Sequence, residues 1–214
     1  MKKSLSFVLL ILLAYTAQSQ SQRVAFDTAY GSFKVMLYDI TPKHRDLFIA
    51  AVQDKVYSEA LFNRVIKNFV VQGGEHDADI EKREAAQPSL GKPRLAGEFD
   101  QRAFHKMGAL GAGRDNNPEK ASFLNQIYFV VGKAVSLEEL NALEIKKNYA
   151  YSQVQRESYL EDGGLPRLDG DYTVFGEVYE GFEVLLNISK AATDTADYPL
   201  QAIPFKVKRI FNEK

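Results

Sequence analysis

The stretch LFNRVIKNFVVQGG, residues 61–74, decides the reading of this chain. LFNRVI and FVVQ are rich in β-branched and aromatic residues, as short strands are. Arg64 is a lone cation in the first run, and the second ends on Gln72 and two glycines. A lone arginine on a strand ordinarily lays its stem over apolar surface or pairs with a nearby carboxylate. Taken singly, Phe69 reads as core, and Gln72-Gly73-Gly74 as a strand end and turn. Only the surrounding chain can lift these residues above that reading.

Working outward, VAFDTAY (24–30) and SFKVMLY (32–38) read as a hairpin around Gly31. Pro42 opens a helix with Leu47, Phe48, Ala51 and Val52 at helical spacing. Residues 75–94 are polar and carry Pro88, Gly91 and Pro93, the pattern of a loop. GALGAGR (108–114) is a glycine-rich strand that something can approach closely. QIYFVV (126–131) is a buried strand. SLEELNALEIKK (136–147) is a helix with a Ser136/Glu139 capping box and Leu137, Leu140 and Leu143 along one side. A second polar helix runs to about Glu161. YTVFGEVY (172–179), the helix GFEVLLNISK (181–190) and the strand IPFKVKRIF (203–211) complete the chain. Many antiparallel-looking strands with one early and one late helix predict a mainly β protein, a closed barrel capped at its ends. The helices between 136 and 161 read as an insertion between two strands.

Composition bounds the function. The chain has 214 residues, 45% hydrophobic and 26% charged, which suits one well-buried core. A net charge of −1 gives no bulk electrostatic reason to expect a nucleic-acid or anionic-membrane partner. Lys2 and Lys3, the apolar run FVLLILLAY, and small residues at Ala17 and Ser19 describe a secretory signal peptide over residues 1–19. The run is too short to span a bilayer stably. The working protein, residues 20–214, is therefore expected to be exported, periplasmic or secreted, and off the membrane once the leader is cut. The chain has no cysteine, so it uses neither disulfides nor thiol chemistry. EHDAD (75–79) is the one metal-like cluster, but a lone histidine in an acidic loop lacks fixed ligand geometry. No metal or cofactor is expected. His44 and His105 have no evident partners in the sequence.

FNRVIKNFVVQGG resembles the signature of the cyclophilin-type peptidyl-prolyl isomerases: F-H-R, two apolar residues, then F-x-x-Q-G-G. The matches are Phe62, Arg64, Phe69, Gln72, Gly73 and Gly74. GEF (97–99) followed by FHKMGALGAGR is similar to the family's G-x-L-x-M-A-N region. NQIYFVV is similar to S-Q-F-F-I, and LDGDYTVFGEVYEGFEVL to L-D-G-x-H-x-V-F-G-x-V-x-x-G-x-x-V. Four motifs in order cover most of residues 24–212, apart from the loop 75–94 and an insertion at about 133–162. The resemblance implies an eight-stranded antiparallel barrel with two capping helices. It also implies an isomerase of X-Pro bonds, here in exported proteins, that acts as a monomer on proline-containing polypeptides.

Rotation about a prolyl peptide bond faces a barrier of about 18–20 kcal/mol. Catalysis needs no nucleophile, base or metal. It needs a site that favours the twisted amide over both planar isomers. The twisted imide nitrogen regains a lone pair, and Arg64 is the expected donor to it, because its charge does not titrate. The resemblance assigns Phe69, Tyr128 and Leu168 to the apolar wall around the proline ring. Val70 takes a neighbouring position that often carries methionine. Gln72 is expected to bond the substrate backbone and steady Arg64. Gly113-Arg114 matches the family's Ala-Asn, and Gln126 a glutamine lining the adjoining pocket. Tyr172 stands where many members have histidine, Arg167 where many have tryptophan, Tyr128 for phenylalanine and Asn63 for the signature histidine. The departures at Arg167, Gly113 and Arg114 keep open a second reading, a cyclophilin-fold chaperone that holds proline-containing segments with little turnover. A third makes the insertion a partner surface.

Overall fold

The computed structural model describes residues 22–211; the expected leader, residues 1–19, lies outside the described residues. Among the described residues there are eight strands: β1 (Arg23–Thr28), β2 (Gly31–Leu37), β3 (Leu61–Val65), β4 (Val70–Gly74), β5 (Ala109–Ala112), β6 (Gln126–Val130), β7 (Val174–Glu180) and β8 (Ile203–Ile210). They form a closed barrel in the order β1-β2-β7-β5-β6-β4-β3-β8, and every pairing is antiparallel. The expected barrel is therefore present. The helices are α1 (Pro42–Gln53), α2 (Asp77–Ala86), α3 (Leu137–Lys147), α4 (Gln153–Glu161) and α5 (Phe182–Ile188). Phe48 and Ala51 of α1, and Val184, Leu185 and Ile188 of α5, pack into the barrel core and cap it.

Strand side chains alternate between faces. On β6, Ile127 and Phe129 join the interior cluster, while Tyr128 and Val130 join a second apolar cluster outside the barrel. On β4, Val71 points in and Val70 out. The interior is aromatic. Phe26 and Phe33 stack at 4.9 Å, and Phe129 meets each of them edge-on at 5.1 Å. Phe62 and Phe205 lie 4.5 Å apart. That crowding answers the glycine question at residue 73. A Cβ there would lie 2.7 Å from the Leu61 carbonyl oxygen and 2.9 Å from the rings of Phe62 and Phe205. Gly74 has φ +86°, which L side chains rarely adopt.

Residues 75–94 are not the expected loop. They contain α2 and a 3-10 turn at Pro88–Leu90. His76 caps α2, its Nδ1 accepting the Ala78 N–H at 3.1 Å. Asp77 and Asp79 in the first turn and Arg83 in the last complement the helix dipole. Only Ile80 is buried, so the helix shows no apolar periodicity in sequence. The expected capping box at Ser136 is half formed. Ser136 Oγ accepts the Glu139 N–H, but the Glu139 carboxylate pairs with Lys133 at 2.7 Å. The complete box is on α4, between Ser152 and Gln155. Of the three leucines expected along α3, Leu140 is buried, Leu143 partly so, and Leu137 is 47% exposed.

His44, at the start of α1, does have partners. Its Nδ1 lies 2.8 Å from the Glu98 carboxylate, and its Nε2 3.1 Å from the Ser122 hydroxyl. The carboxylate only accepts, so Nδ1 carries the hydrogen. Burial lowers the His44 pKa despite Glu98, so the ring is neutral in the fold. Glu98 is itself held below the usual carboxylate range by His44 and by the N–H groups of His44 and Lys43. A depressed folded-state pKa contributes stability above the unfolded value that is lost as pH falls. Stability should therefore decline below about pH 6.5 through His44, and again below about pH 4.5 through Glu98. Thermal melts from pH 8 to 5 check this: wild type should lose stability more steeply than His44→Gln.

Candidate active site

The outward-facing residues of β3, β4 and β6 share one surface. Arg64, Phe69, Val70, Gln72, Gly113, Arg114, Gln126, Tyr128, Arg167, Leu168 and Tyr172 all line one open cavity of about 130 Å³. All eleven expected site residues are thus brought together, though they span more than one hundred positions of chain. Asp77 is a twelfth lining residue that the sequence reading missed, because its helix was read as loop.

Arg64 on β3 pairs across the ladder with Gln72 on β4, so the two share the outer face. The Arg64 Nε lies 3.5 Å from the Asp197 carboxylate, and the side chain remains 38% exposed. Phe69 follows the tight turn after β3. Its carbonyl accepts the N–H groups of Val131 and Gly132, which pins it beside β6. Tyr128 stands on β6, directly opposite Gly111 of β5. A Cβ at residue 111 would collide with the Tyr128 ring, so this glycine makes the room for it. Gly113 plays the same part for Gln126, whose amide nitrogen donates to the Glu75 carbonyl and to the Asp77 carboxylate. Tyr172 meets Tyr128 edge-on at 6.1 Å. Phe69, Tyr128 and Leu168 thus form an apolar wall in the cavity that Arg64 lines, and the buried Gln72 and Gln126 add polar groups to it.

Two further guanidiniums lie on aromatic faces. Arg167 sits 4.5 Å over the Phe69 ring and Arg114 4.6 Å over the Tyr172 ring, both cation–π contacts. Arg114 also donates to the carbonyls of Asp171 and Asp115, at 2.7 and 2.8 Å. The 166–171 segment is clamped by the insertion. Lys147 Nζ, at the end of α3, donates to the Arg167 and Asp169 carbonyls and pairs with Asp171. The Tyr151 hydroxyl donates to the Pro166 carbonyl at 2.7 Å.

Behind the wall lies a buried polar relay. His105 Nδ1 donates to Asp169 Oδ1 at 2.6 Å, and its Nε2 meets the Tyr128 hydroxyl at 2.7 Å. The Tyr159 hydroxyl of α4 donates to Asp169 Oδ2 at 2.6 Å. His105, expected to lack partners, has two. Burial holds the Tyr128 and Tyr159 hydroxyls well above their ordinary pKa, so both keep their protons. The relay fixes the rear of the Tyr128 ring. Tyr159→Phe strips one donor from a buried carboxylate, which should cost about 1–3 kcal/mol. Chemical denaturation of wild type and variant, with unchanged m-value, measures it.

The cation beside an apolar wall suits a ligand that is apolar and carries one developing acceptor. Comparison with known proteins agrees with that geometry. The model of the family described as cyclophilin type peptidyl-prolyl cis-trans isomerase/CLD matches residues 23–209. A protein of Staphylococcus epidermidis named as a peptidyl-prolyl cis-trans isomerase is 31% identical over 187 residues, 86% of this chain and 88% of its own. One of Staphylococcus aureus with the same name is 29% identical over 182 residues, 85% of this chain and 87% of its own. The crystal structure of a cyclophilin type peptidyl-prolyl cis-trans isomerase of Cryptosporidium parvum has a TM-score of 0.61 at 21% identity, covering 91% of this chain and all of that one. A second structure of that protein, in the presence of the dipeptide Ala-Pro, has a TM-score of 0.62 and covers 89% of this chain and all of that one. A barrel of this order, a signature read strand by strand, and a family match over nearly the whole described chain give one conclusion: the chain belongs to the cyclophilin-type peptidyl-prolyl cis-trans isomerases.

Proposed function

We propose that the isomerase acts on X-Pro bonds of exported polypeptides as they fold, with Arg64 as the donor to the imide nitrogen. The observation that carries the assignment is the position of Arg64. It is the one guanidinium of the cavity that stands on a barrel strand, directly opposite Gln72 and beside the apolar wall of Phe69, Leu168 and Tyr128. In the planar amide the nitrogen lone pair is delocalised and accepts nothing. As the bond twists, the lone pair localises, and a donor already in place strengthens its hydrogen bond only in that state. The wall holds the proline ring while the preceding carbonyl swings, and Gln72 offers its amide to the substrate backbone. No proton or covalent bond changes hands. Action outside the cytoplasm is supported by the leader-like residues 1–19.

Arg64→Ala should keep the melting temperature and lose at least about tenfold in turnover, equivalent to about 1.4 kcal/mol of transition-state stabilisation. A protease-coupled assay on a proline tetrapeptide measures this, and a wild-type rate would reject the assignment. Cyclosporin, the cyclic peptide that binds this family's substrate groove, tests the cavity rim. Members that bind it well present tryptophan where this chain has Arg167, an apolar face with an indole donor. A guanidinium prefers water to an apolar ligand, and its burial without a carboxylate is costly. Wild type should therefore be inhibited weakly. Arg167→Trp should be inhibited about tenfold or more tightly, with smaller changes in peptide turnover. Parallel inhibition titrations of the two proteins decide it.

A further inference from the structure

The turn between α5 and β8 is more ordered than its polar sequence suggests. Thr193 and Pro199 form an isolated antiparallel bridge. The Asp194 carboxylate accepts the N–H groups of Ala196 and Tyr198 at 2.8 and 3.0 Å, and the Asp194 N–H donates to the Tyr198 carbonyl at 2.8 Å. At the tip, Asp197 has φ +65°, the left-handed region that a non-glycine residue seldom occupies. Such conformations persist where the surroundings impose them, and they cluster at working sites.

Asp197 grips β3 twice. Its carbonyl accepts the N–H of Val65 at 2.9 Å, and its carboxylate lies 3.5 Å from the Nε of Arg64. We propose that Asp197 is a positioning residue for Arg64, holding the guanidinium by its Nε so that both terminal nitrogens face the cavity. The choice of nitrogen matters. A guanidinium offers five N–H groups in a fixed planar fork, and engaging the Nε edge leaves the far side free for a ligand. An ion pair with both partners about 40% exposed contributes little to stability, so its effect lies in orientation rather than in holding the fold. The turn is itself anchored to the start of α2. The Tyr198 ring lies 4.6 Å from that of His76, the residue that caps α2 just before the lining residue Asp77.

This proposal rests on Arg64 being the donor to the imide nitrogen. The test uses Asp197→Asn and Asp197→Gly, since both residues tolerate a left-handed φ and so keep the turn and the bond to Val65. On a proline tetrapeptide, each should lower kcat by about three- to tenfold with KM within about twofold of wild type, because a misplaced catalytic group loses rate steeply. Melting temperatures should not change. Adding Asp197→Asn to Arg64→Ala should cause no further loss, since nothing remains to be positioned. Wild-type kcat in both Asp197 variants, with Arg64→Ala slow, overturns this proposal alone. So does an equal loss in the Arg64→Ala background, or a fall in kcat that tracks a lower melting temperature in both variants. A wild-type rate for Arg64→Ala overturns the donor assignment and this proposal with it.

Discussion

The two-residue period of the β-strand governs this molecule. On β4 and β6, every second side chain enters the phenylalanine-lined interior and the others stand outside, where they form the cavity wall. Val71 and Phe129 build the core; Val70 and Tyr128, one residue away, build the site. A slip of one position would exchange the two sets. The core therefore fixes the register that the site requires, and the pairing of Gln72 with Tyr128 across β4 and β6 follows directly from it.

Much of this was legible in the sequence. The signature run holds Arg64 and Gln72 on two adjacent strands and Phe69 in the turn between them, so their convergence needs only a hairpin. The wider set of lining residues became visible through three more motifs in a fixed order. The limits are equally physical. The helix around Asp77 buries one side chain, Ile80, and so leaves no periodic trace. His44 finds Glu98 and His105 finds Asp169 across 54 and 64 residues of chain, and nothing local marks either partner. Asp197 reaches Arg64 from a turn whose purpose lies in tertiary contact. The Glu139 carboxylate turned to Lys133 rather than to the backbone of Ser136, because a second cation stood within reach.

The insertion also takes on a definite meaning. Its helices lie against the segment that carries Arg167 and Leu168, and they contribute Lys147, Tyr151 and Tyr159 to it. Tyr159 reaches Tyr128 through Asp169 and His105, so one hydrogen-bonded path joins α4 to the cavity wall. The segment 166–171 opens with a 3-10 turn at Pro166–Leu168, and its Pro166, Arg167 and Asp169 carbonyls take donors from the insertion. The helices read as an insertion also brace the groove.

Closure of the barrel joins the two ends of the chain. β1 pairs along its length with β8, from Arg23 opposite Ile210 to Thr28 opposite Phe205, and β8 also borders β3. A polypeptide is made from its first residue to its last. Until the final dozen residues arrive, β1 and β3 are open edges and the aromatic interior lacks Phe205. Long-range closure of this kind is slow to form. The molecule thus completes its architecture only once β8 has joined both β1 and β3, and until then its barrel stays open.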